Sequence, residues 1–377
     1  MSQWIKTKLG EIVILNYGKA LKAQDRNAGS IPVYSSGGLT GWHNKALINE
    51  QGIIIGRKGT VGKAYLTYGP FWCIDTAYYI LPNPSKYDFV FLFYLLKTLG
   101  LEELNEDSAV PGLNRDTAYS QEILLPSLPE QKAIASVLSS LDDKIDLLHR
   151  QNKTLESMAE TLFRQWFDVD SNDEWQEKNV LDIFTLVGGG TPKTSVAEYW
   201  TDEIPWISGG DISAAHQGYL YSTEKSISLA GLQNSSAKLL PKNSTVISAR
   251  GTVGKYALLA RDMAFSQSNY GIISKIGSYP FFIYLLVGFI VDDLLTAAYG
   301  SVFDTITTRT FESVNLKFPS LNSIEKFNEE ISPIFSKKET NTQQIKSLET
   351  LRDTLLPKLM SGEVRVQYAE EKLESVA

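Results

Sequence analysis

The segment Gly56-Arg57-Lys58-Gly59-Thr60-Val61-Gly62-Lys63-Ala64 carries the residue types of a phosphate-binding loop: glycines that relax the backbone, and a lysine directly after the last of them. Its spacing denies it that chemistry. The glycines before Gly62-Lys63 stand at the wrong interval, and Ala64 follows the lysine where a magnesium-holding Ser or Thr is required. A second occurrence, Gly251-Thr252-Val253-Gly254-Lys255, fails in the same way at Tyr256. Two readings remain. The loops could present Arg57, Lys58 and Lys63, and Arg250 and Lys255, to a phosphate backbone, or they could be plain turns between strands with solvated basic ends.

Other reactive constellations are absent from the sequence. Its three histidines include no pair at ligand spacing, and His43 and His216 each stand alone as polar turn residues. Neither Gly-x-Ser-x-Gly nor His-Glu-x-x-His occurs, and Gly188-Gly189-Gly190-Thr191-Pro192 does not complete a dinucleotide fingerprint. The Asn-Pro-Pro-aromatic motif of an adenine methyltransferase is missing too. The single Cys73 cannot close an internal disulfide and reads as a small buried hydrophobe. The chain looks non-catalytic.

The elements that carry these loops are used twice. Residues 4–168 and 175–360 align in order: Trp4 with Trp175, Glu11-Ile12 with Asp182-Ile183, Ile31-Pro32 with Ile204-Pro205, and His43 with His216. After the repeated loop, Tyr94-Leu95-Leu96 matches Tyr284-Leu285-Leu286, and Pro126-Ser127-Leu128 matches Pro319-Ser320-Leu321. A repeat this long is two domains of one fold rather than a solenoid. His216 and Gly251 lie 35 positions apart where His43 and Gly59 lie 16 apart, so the second copy holds an insertion at about residues 217–240.

A helix closes each copy. After Pro126 and Pro129, the positions Ile134, Leu138, Leu141, Ile145, Leu148, Asn152, Leu155, Ala159, Leu162 and Trp166 alternate four and three residues apart, which is a coiled-coil seam roughly 50 Å long. The second copy keeps the register through Phe327, Ile331, Ile334, Ile345, Leu348, Leu355 and Leu359. It is weakened by the polar seam residues Lys338, Asn341 and Arg352, and Pro333 is expected to bend or delay it. Neither stripe is stable facing water. Antiparallel pairing of the two helices, with Asn152 and Asn341 fixing register, is the favoured arrangement, and self-association of whole chains through the same stripes is the other.

The remainder reads as mixed and turn-rich, an α+β fold. Residues 51–55, 76–81, 245–248 and 271–276 are expected as strands, and 89–104 and 281–295 as helices. The expected organisation is a first globular domain at 1–125, a spacer helix at 126–170, a second globular domain at 171–317, a second spacer helix at 318–362 and a tail at 363–377. With 377 residues and 43% hydrophobic composition the chain can bury two cores. The apolar stretch of residues 281–291 is too short to span a bilayer, and residues 1–10 lack the apolar core of a signal peptide, so the expectation is a cytoplasmic protein.

The net charge of −7 means that any nucleic-acid face must be local. Residues 1–125 carry 12 Lys and Arg against 11 Asp and Glu, and residues 171–317 carry 11 against 14.

Several motifs in order carry a family resemblance. They are Gly188-Gly189-Gly190-Thr191-Pro192, Tyr199-Trp200, Ile204-Pro205-Trp206-Ile207-Ser208-Gly209-Gly210-Asp211-Ile212, the twice-used Gly-Thr-Val-Gly-Lys, the Leu-Pro-x-Leu-Pro-Glu-Gln-Lys opening of the central helix, and Leu355-Leu356-Pro357-Lys358-Leu359-Met360-Ser361-Gly362-Glu363. Together they resemble the specificity subunit of type I restriction-modification systems. That resemblance implies two pseudo-symmetric target-recognition domains, each reading half of a split site in double-stranded DNA, joined by two long antiparallel helices. It implies two methyltransferase subunits and restriction/translocase subunits as partners. S-adenosylmethionine, ATP and magnesium would act in those partners, with no cofactor in this chain.

Candidate DNA contacts are Lys19, Tyr34, Ser35, Arg57, Lys58 and Lys63 in the first copy, and Lys193, Ser208, Arg250, Lys255, Gln267 and Asn269 in the second. Arg and Lys suit phosphates or guanine, and Gln and Asn suit adenine edges. Candidate helix-pairing residues are Ile134, Leu138, Leu141, Ile145, Leu148, Asn152, Leu155, Leu162, Ile331, Ile334, Asn341, Ile345, Leu348 and Leu355. Two other functions stay open at this point: a coiled-coil scaffold that never touches DNA, and a stand-alone methyltransferase.

Overall fold

The computed structural model describes residues 4–104, 112–167, 175–299 and 305–366. The chain divides into two compact units, Met1–Asp146 with Lys346–Ala377, and Leu147–Ile345. Each unit therefore combines one globular part with stretches of both long helices.

In the first unit the central strand is Gly52–Gly56, buried along its whole length. Three consecutive isoleucines make it so, since a β-branched run suits a strand covered on both faces. Alternation then divides the core. Ile53 and Ile55 pack with Phe91, Leu92 and Leu95 of helix Phe89–Thr98, while Ile54 packs with Phe71 and Cys73 on the other side. The sheet order is Asn16–Tyr17, Ala77–Ile80, Gly52–Gly56, Ala64–Thr67, all antiparallel. A second sheet sets Ile31–Ser35 between Gly38–His43, antiparallel, and Trp72–Cys73, parallel. Ile5–Lys8 closes against Glu122–Leu125.

The second unit repeats this plan with additions. Its main sheet runs Phe184–Gly188, Asn269–Ser274, Thr245–Ser248, Tyr256–Leu259, and gains Tyr219–Leu220 as a parallel edge strand. The second sheet runs Lys225–Ile227, Ile204–Ile207, Met263–Phe265, Leu239–Leu240. Three of these strands, Tyr219–Leu220, Lys225–Ile227 and Leu239–Leu240, and helix Leu229–Gln233 come from the region marked as an insertion by spacing. The matched Gly-Gly pairs diverge. Gly37-Gly38 sits at the hairpin between Ile31–Ser35 and Gly38–His43, whereas Gly209-Gly210 opens helix Gly209–Ala214, because Ser208 and Asp211 close a capping box there.

Several expected boundaries shift. The first unit's helix stops at Thr98 instead of reaching residue 104, and Gly100 follows it with φ +61°. The second unit's equivalent runs longer, Pro280–Tyr299, and its neighbouring strand is Asn269–Ser274 rather than 271–276. At 20 residues that helix is long and apolar enough to cross a membrane by length and composition alone, unlike the shorter stretch taken from sequence. Here half of its apolar window is buried, and Phe282, Ile283, Leu286 and Ile290 form part of the second unit's core.

The central helix is Leu128–Trp166 and the terminal helix Leu321–Ser361. Pro333 neither delays nor ends the latter, which begins twelve residues earlier and continues through it. Proline forfeits one helical hydrogen bond, and the deep burial of Ile331 and Phe335 on either side holds the turn. The two helices run antiparallel within each unit. In the first, Glu130 meets Arg365 and Asp142 meets Arg352; in the second, Asn152 meets Asn341 and Glu156 meets Lys338. Of the candidate helix-pairing residues, Ile134, Leu138, Ile145, Leu148, Ile331, Asn341 and Ile345 are buried, while Leu141, Asn152, Leu155, Leu162, Ile334, Leu348 and Leu355 are half-buried. The residues that weaken the stripe in sequence all have partners. Asn341 donates its amide to Asn152 Oδ1 at 3.0 Å and to Gln151 Oε1 at 3.3 Å, and Asn152 donates to Thr342 Oγ1 at 3.1 Å.

Candidate nucleic-acid interface

The repeated loop has one geometry in both units. Gly59 and Gly62 have φ +80° and +75°, and Gly251 and Gly254 have +78° and +81°. Only glycine adopts such angles without strain, which explains the Gly-x-x-Gly spacing. The amide of Gly62 donates to Gly56 O at 2.8 Å and that of Gly56 to Lys63 O at 2.9 Å; Gly254 to Ser248 O at 3.0 Å and Ser248 to Lys255 O at 2.8 Å repeat the pattern. A strand follows each loop, Ala64–Thr67 or Tyr256–Leu259. A phosphate-binding loop of the nucleotide type instead runs into a helix whose N-terminus faces the phosphates, so that reading fails on structure as well as spacing.

In the first unit this loop meets two other turns. The Arg57 and Lys58 amides both donate to Thr76 O at 3.0 Å, Ser36 N donates to Thr76 Oγ1 at 3.3 Å, and Ile74 N to Tyr34 O at 2.9 Å. Lys19 is tied to the same edge, its amide donating to Cys73 O at 2.9 Å and its carbonyl accepting from Trp72 Nε1 at 2.8 Å. Lys19, Tyr34, Ser35, Arg57 and Lys58 are thereby brought to one end of the two sheets. Lys63 parts from them and lines a cleft with Lys97, Glu102 and Glu103.

Two further members, Tyr17 and Arg115, carry no mark in the sequence motifs. Arg57 lies over the ring of Tyr17 at 5.3 Å and donates from Nη2 to Asp75 O at 2.9 Å, while Arg115 lies over Tyr17 at 5.6 Å. Tyr17 is 52% exposed between these two guanidinium groups. Arg115 and Tyr17 are far apart in sequence, and Tyr17 corresponds to Gly188 in the second copy, so the repeat does not mark the stack.

The second unit assembles the equivalent end with different polar groups. Ala249 N donates to Ser268 O at 2.9 Å, and Thr252 Oγ1 to Gly209 O at 3.2 Å, which joins the loop to the Ser208 helix start and the 266–268 turn. Arg250, Lys255 and Gln267 are exposed. Ser208 is occupied as a helix cap, its hydroxyl accepting from Asp211 N at 3.3 Å. Lys193 is exposed on a segment whose carbonyl accepts from Trp200 Nε1 at 3.3 Å. Asn269 is different: only 1% exposed, it donates to Ser266 Oγ at 2.9 Å and Ile207 O at 3.4 Å. It is an internal brace with no base-reading face, because the first residue of its strand points inward.

The histidines serve structure. His43 Nδ1 accepts from Asn27 N at 3.1 Å and its ring meets Trp72 edge-on at 5.5 Å. His216 Nδ1 accepts from Tyr256 N at 3.3 Å, and burial, with the charge of Lys255 second, lowers its pKa. Cys73 is fully buried, and burial, then Asp75, pushes its thiol up to about 12. Among the described residues no group of three or more His, Cys, Asp or Glu could hold a metal ion. What the turns can do chemically is offer guanidinium, ammonium and amide donors to phosphates and base edges.

Comparison with known proteins follows the same division. The family model described as type I restriction modification DNA specificity domain matches residues 1–157 and 172–350, once per copy. A type I restriction enzyme MjaIX specificity subunit of Methanocaldococcus jannaschii is 28% identical over 302 residues, covering 74% of this chain and 69% of that protein. The HindI specificity subunit of Haemophilus influenzae is 23% identical over 378 residues, covering 78% and 81%. Among solved structures, the type I restriction-modification S subunit from M. genitalium aligns with a TM-score of 0.65 at 16% identity, over 95% of this chain and 96% of that one.

Proposed function

The chain belongs to the family of type I restriction-modification DNA specificity domains, and on that premise we propose that each unit reads one half of a bipartite, asymmetric site in double-stranded DNA. The observation that carries this reading is the repeated cluster of turns. Each unit gathers basic and polar side chains at one end of an otherwise matching pair of sheets, and the polar groups differ between the two. Arg57, Lys58, Tyr17 and Arg115 stand in one, and Arg250 and Gln267 in the other. Matching frames with unlike side chains suit two readers of unlike sequences.

The chain is a recognition subunit and not an enzyme. We assign adenine methylation to two methyltransferase subunits using S-adenosylmethionine, and ATP- and magnesium-dependent translocation and cleavage to restriction subunits, all acting with this chain in the cytoplasm. The long helices would set the spacing of the half-sites and dock the methyltransferases. At 39 residues the central helix is about 58 Å long, enough for readers separated by about one turn of B-DNA, roughly 34–36 Å. Leu147, Met158 and Leu351 stand exposed along the helices, as docking positions would.

Sequencing of methylated adenines in host DNA with and without this gene tests the reading. A split motif should lose methylation when the gene is removed, and persistence of every methylated motif would refute it.

A further inference from the structure

The two units share a cation at one place in the repeated loop and differ in the groups around it. Lys58 precedes Gly59 as Arg250 precedes Gly251, and both are exposed. Each unit must dock on the same kind of sugar-phosphate backbone, so a cation matched between them fits the phosphate contact that either reader needs. The stack on Tyr17 has no such counterpart. Gly188 stands where Tyr17 does, Ala249 where Arg57 does, and Thr308 opens the short helix that Arg115 opens in the first unit.

Within the stack the two arginines are held differently. Arg57 is half-buried, lies over Tyr17 and Tyr78 at 5.3 and 5.8 Å, and has its Nη2 occupied by Asp75 O at 2.9 Å. It braces the Tyr17 ring. Arg115 is exposed, lying over Tyr17 at 5.6 Å and over Tyr119 at 5.9 Å, and among the described residues nothing accepts a hydrogen bond from its guanidinium. Its platform is fixed. Tyr119 Oη accepts from Leu15 N at 2.9 Å, Leu113 N donates to Arg57 O at 2.8 Å, and Asn114 Oδ1 accepts from Asp116 N at 2.8 Å, which together pin the start of helix Arg115–Tyr119 beside the loop. A guanidinium resting on two rings is oriented before any ligand arrives, and its N–H edge stays open.

We propose that Arg115 reads a guanine in the half-site of the first unit, its N–H edge donating to the O6 and N7 acceptors in the major groove, with Tyr17 and Arg57 as positioning residues. The inference rests on the two-reader function proposed above. A bidentate contact with guanine demands a planar donor pair in a fixed orientation, which is what the two rings supply. A phosphate contact demands less. Any surface cation suits it, and the matched Lys58 and Arg250 already provide one in each unit. Because the second unit lacks the stack, a guanine read in this way belongs to one half of the site alone.

Methylated adenines mapped in cells carrying the partner subunits test this, for the unaltered chain, Arg115→Ala and Tyr17→Ala. Both side chains are exposed, so neither change opens the core. In Arg115→Ala one G·C pair, in the half that changes when residues 1–125 are exchanged, should relax to any pair, with discrimination there falling about tenfold or more. Tyr17→Ala should relax the same pair by less, and the other half should keep its sequence in both variants. Purified complex gives a second readout. Replacing that guanine by 7-deazaguanine, which lacks the N7 acceptor, should weaken binding several-fold for the unaltered chain and leave Arg115→Ala unaffected. An even loss of methylation at every site with the motif intact would assign Arg115 to a phosphate and overturn the proposal, as would an equal effect of 7-deazaguanine on both chains. No split motif for the unaltered chain would instead overturn the two-reader function itself.

Discussion

Tyr94 and Tyr284 occupy matching places in the two units, and each donates to a carboxylate of the central helix that also receives a cation from the terminal helix. In the first unit the set is Tyr94, Asp142 and Arg352, with hydroxyl-to-carboxylate and guanidinium-to-carboxylate distances of 2.5 and 2.7 Å. In the second it is Tyr284, Glu156 and Lys338, the hydroxyl bond being 3.1 Å. The environments differ. The side chains of Arg352 and Asp142 are 21% and 30% exposed, whereas those of Lys338 and Glu156 are 4% and 11%. Burial pulls the Lys338 ammonium down to about 7, and the adjacent Glu156 carboxylate acts against that. One fold has thus met one requirement, fastening a globular part to the paired helices, with a half-open arginine in one unit and a sealed lysine in the other.

The largest expected effect tests that contrast. Lys338→Met strands a buried carboxylate and should cost about 3–5 kcal/mol, while Arg352→Met leaves a carboxylate that water can reach and should cost about 1 kcal/mol or less. Urea denaturation with hydrogen exchange along the terminal helix measures both, and equal losses would show that burial does not separate the two clasps. Replacing Lys338 and Glu156 together by methionine should recover most of the loss.

The repeated loop offers a second contrast. A Cβ at Gly62 would stand 2.3 Å from the backbone at Leu101 and Glu102, whereas at Gly59 it meets nothing closer than 3.9 Å. Gly62→Ala should therefore cost about 3 kcal/mol through strain and backbone displacement, and Gly59→Ala about 1 kcal/mol through its positive φ alone. Melting of the first unit's exchange-protected amides reads the difference, and similar values for the two alanines would contradict the contact geometry.

These contrasts mark what sequence could convey. The helix register was legible because a seven-residue apolar pattern depends on local spacing, and the insertion was legible from the wider interval between His216 and Gly251. Partners across the helix pair were not. Lys338 looks like a flaw in an apolar stripe until Glu156 faces it, and Arg115 has no visible link to Tyr17. Asn269 reads as a surface amide because nothing local shows that its strand turns it toward Ile207. Pro333 does not delay its helix because its local cost is outweighed by the packing of Ile331 and Phe335.

A smaller effect concerns pH. The folded second unit holds His216 below its ordinary pKa, so the unfolded chain takes up the proton first on acidification. Stability should be fully present above about pH 6.5 and decline as pH falls through the lowered value. Because the ring is half-buried and partly screened by solvent, the loss should amount to a few tenths of a kcal/mol. His216→Asn should flatten that part of the stability profile, and an unchanged slope between pH 7 and 5 would remove His216 from the account.

Exchange of residues 1–125 for those of a relative, followed by mapping of methylated adenines in cells carrying the partner subunits, tests the two-reader account most directly. One half of the split motif should change while the other half and the spacing stay as they were. A change in both halves, or in neither, would contradict it.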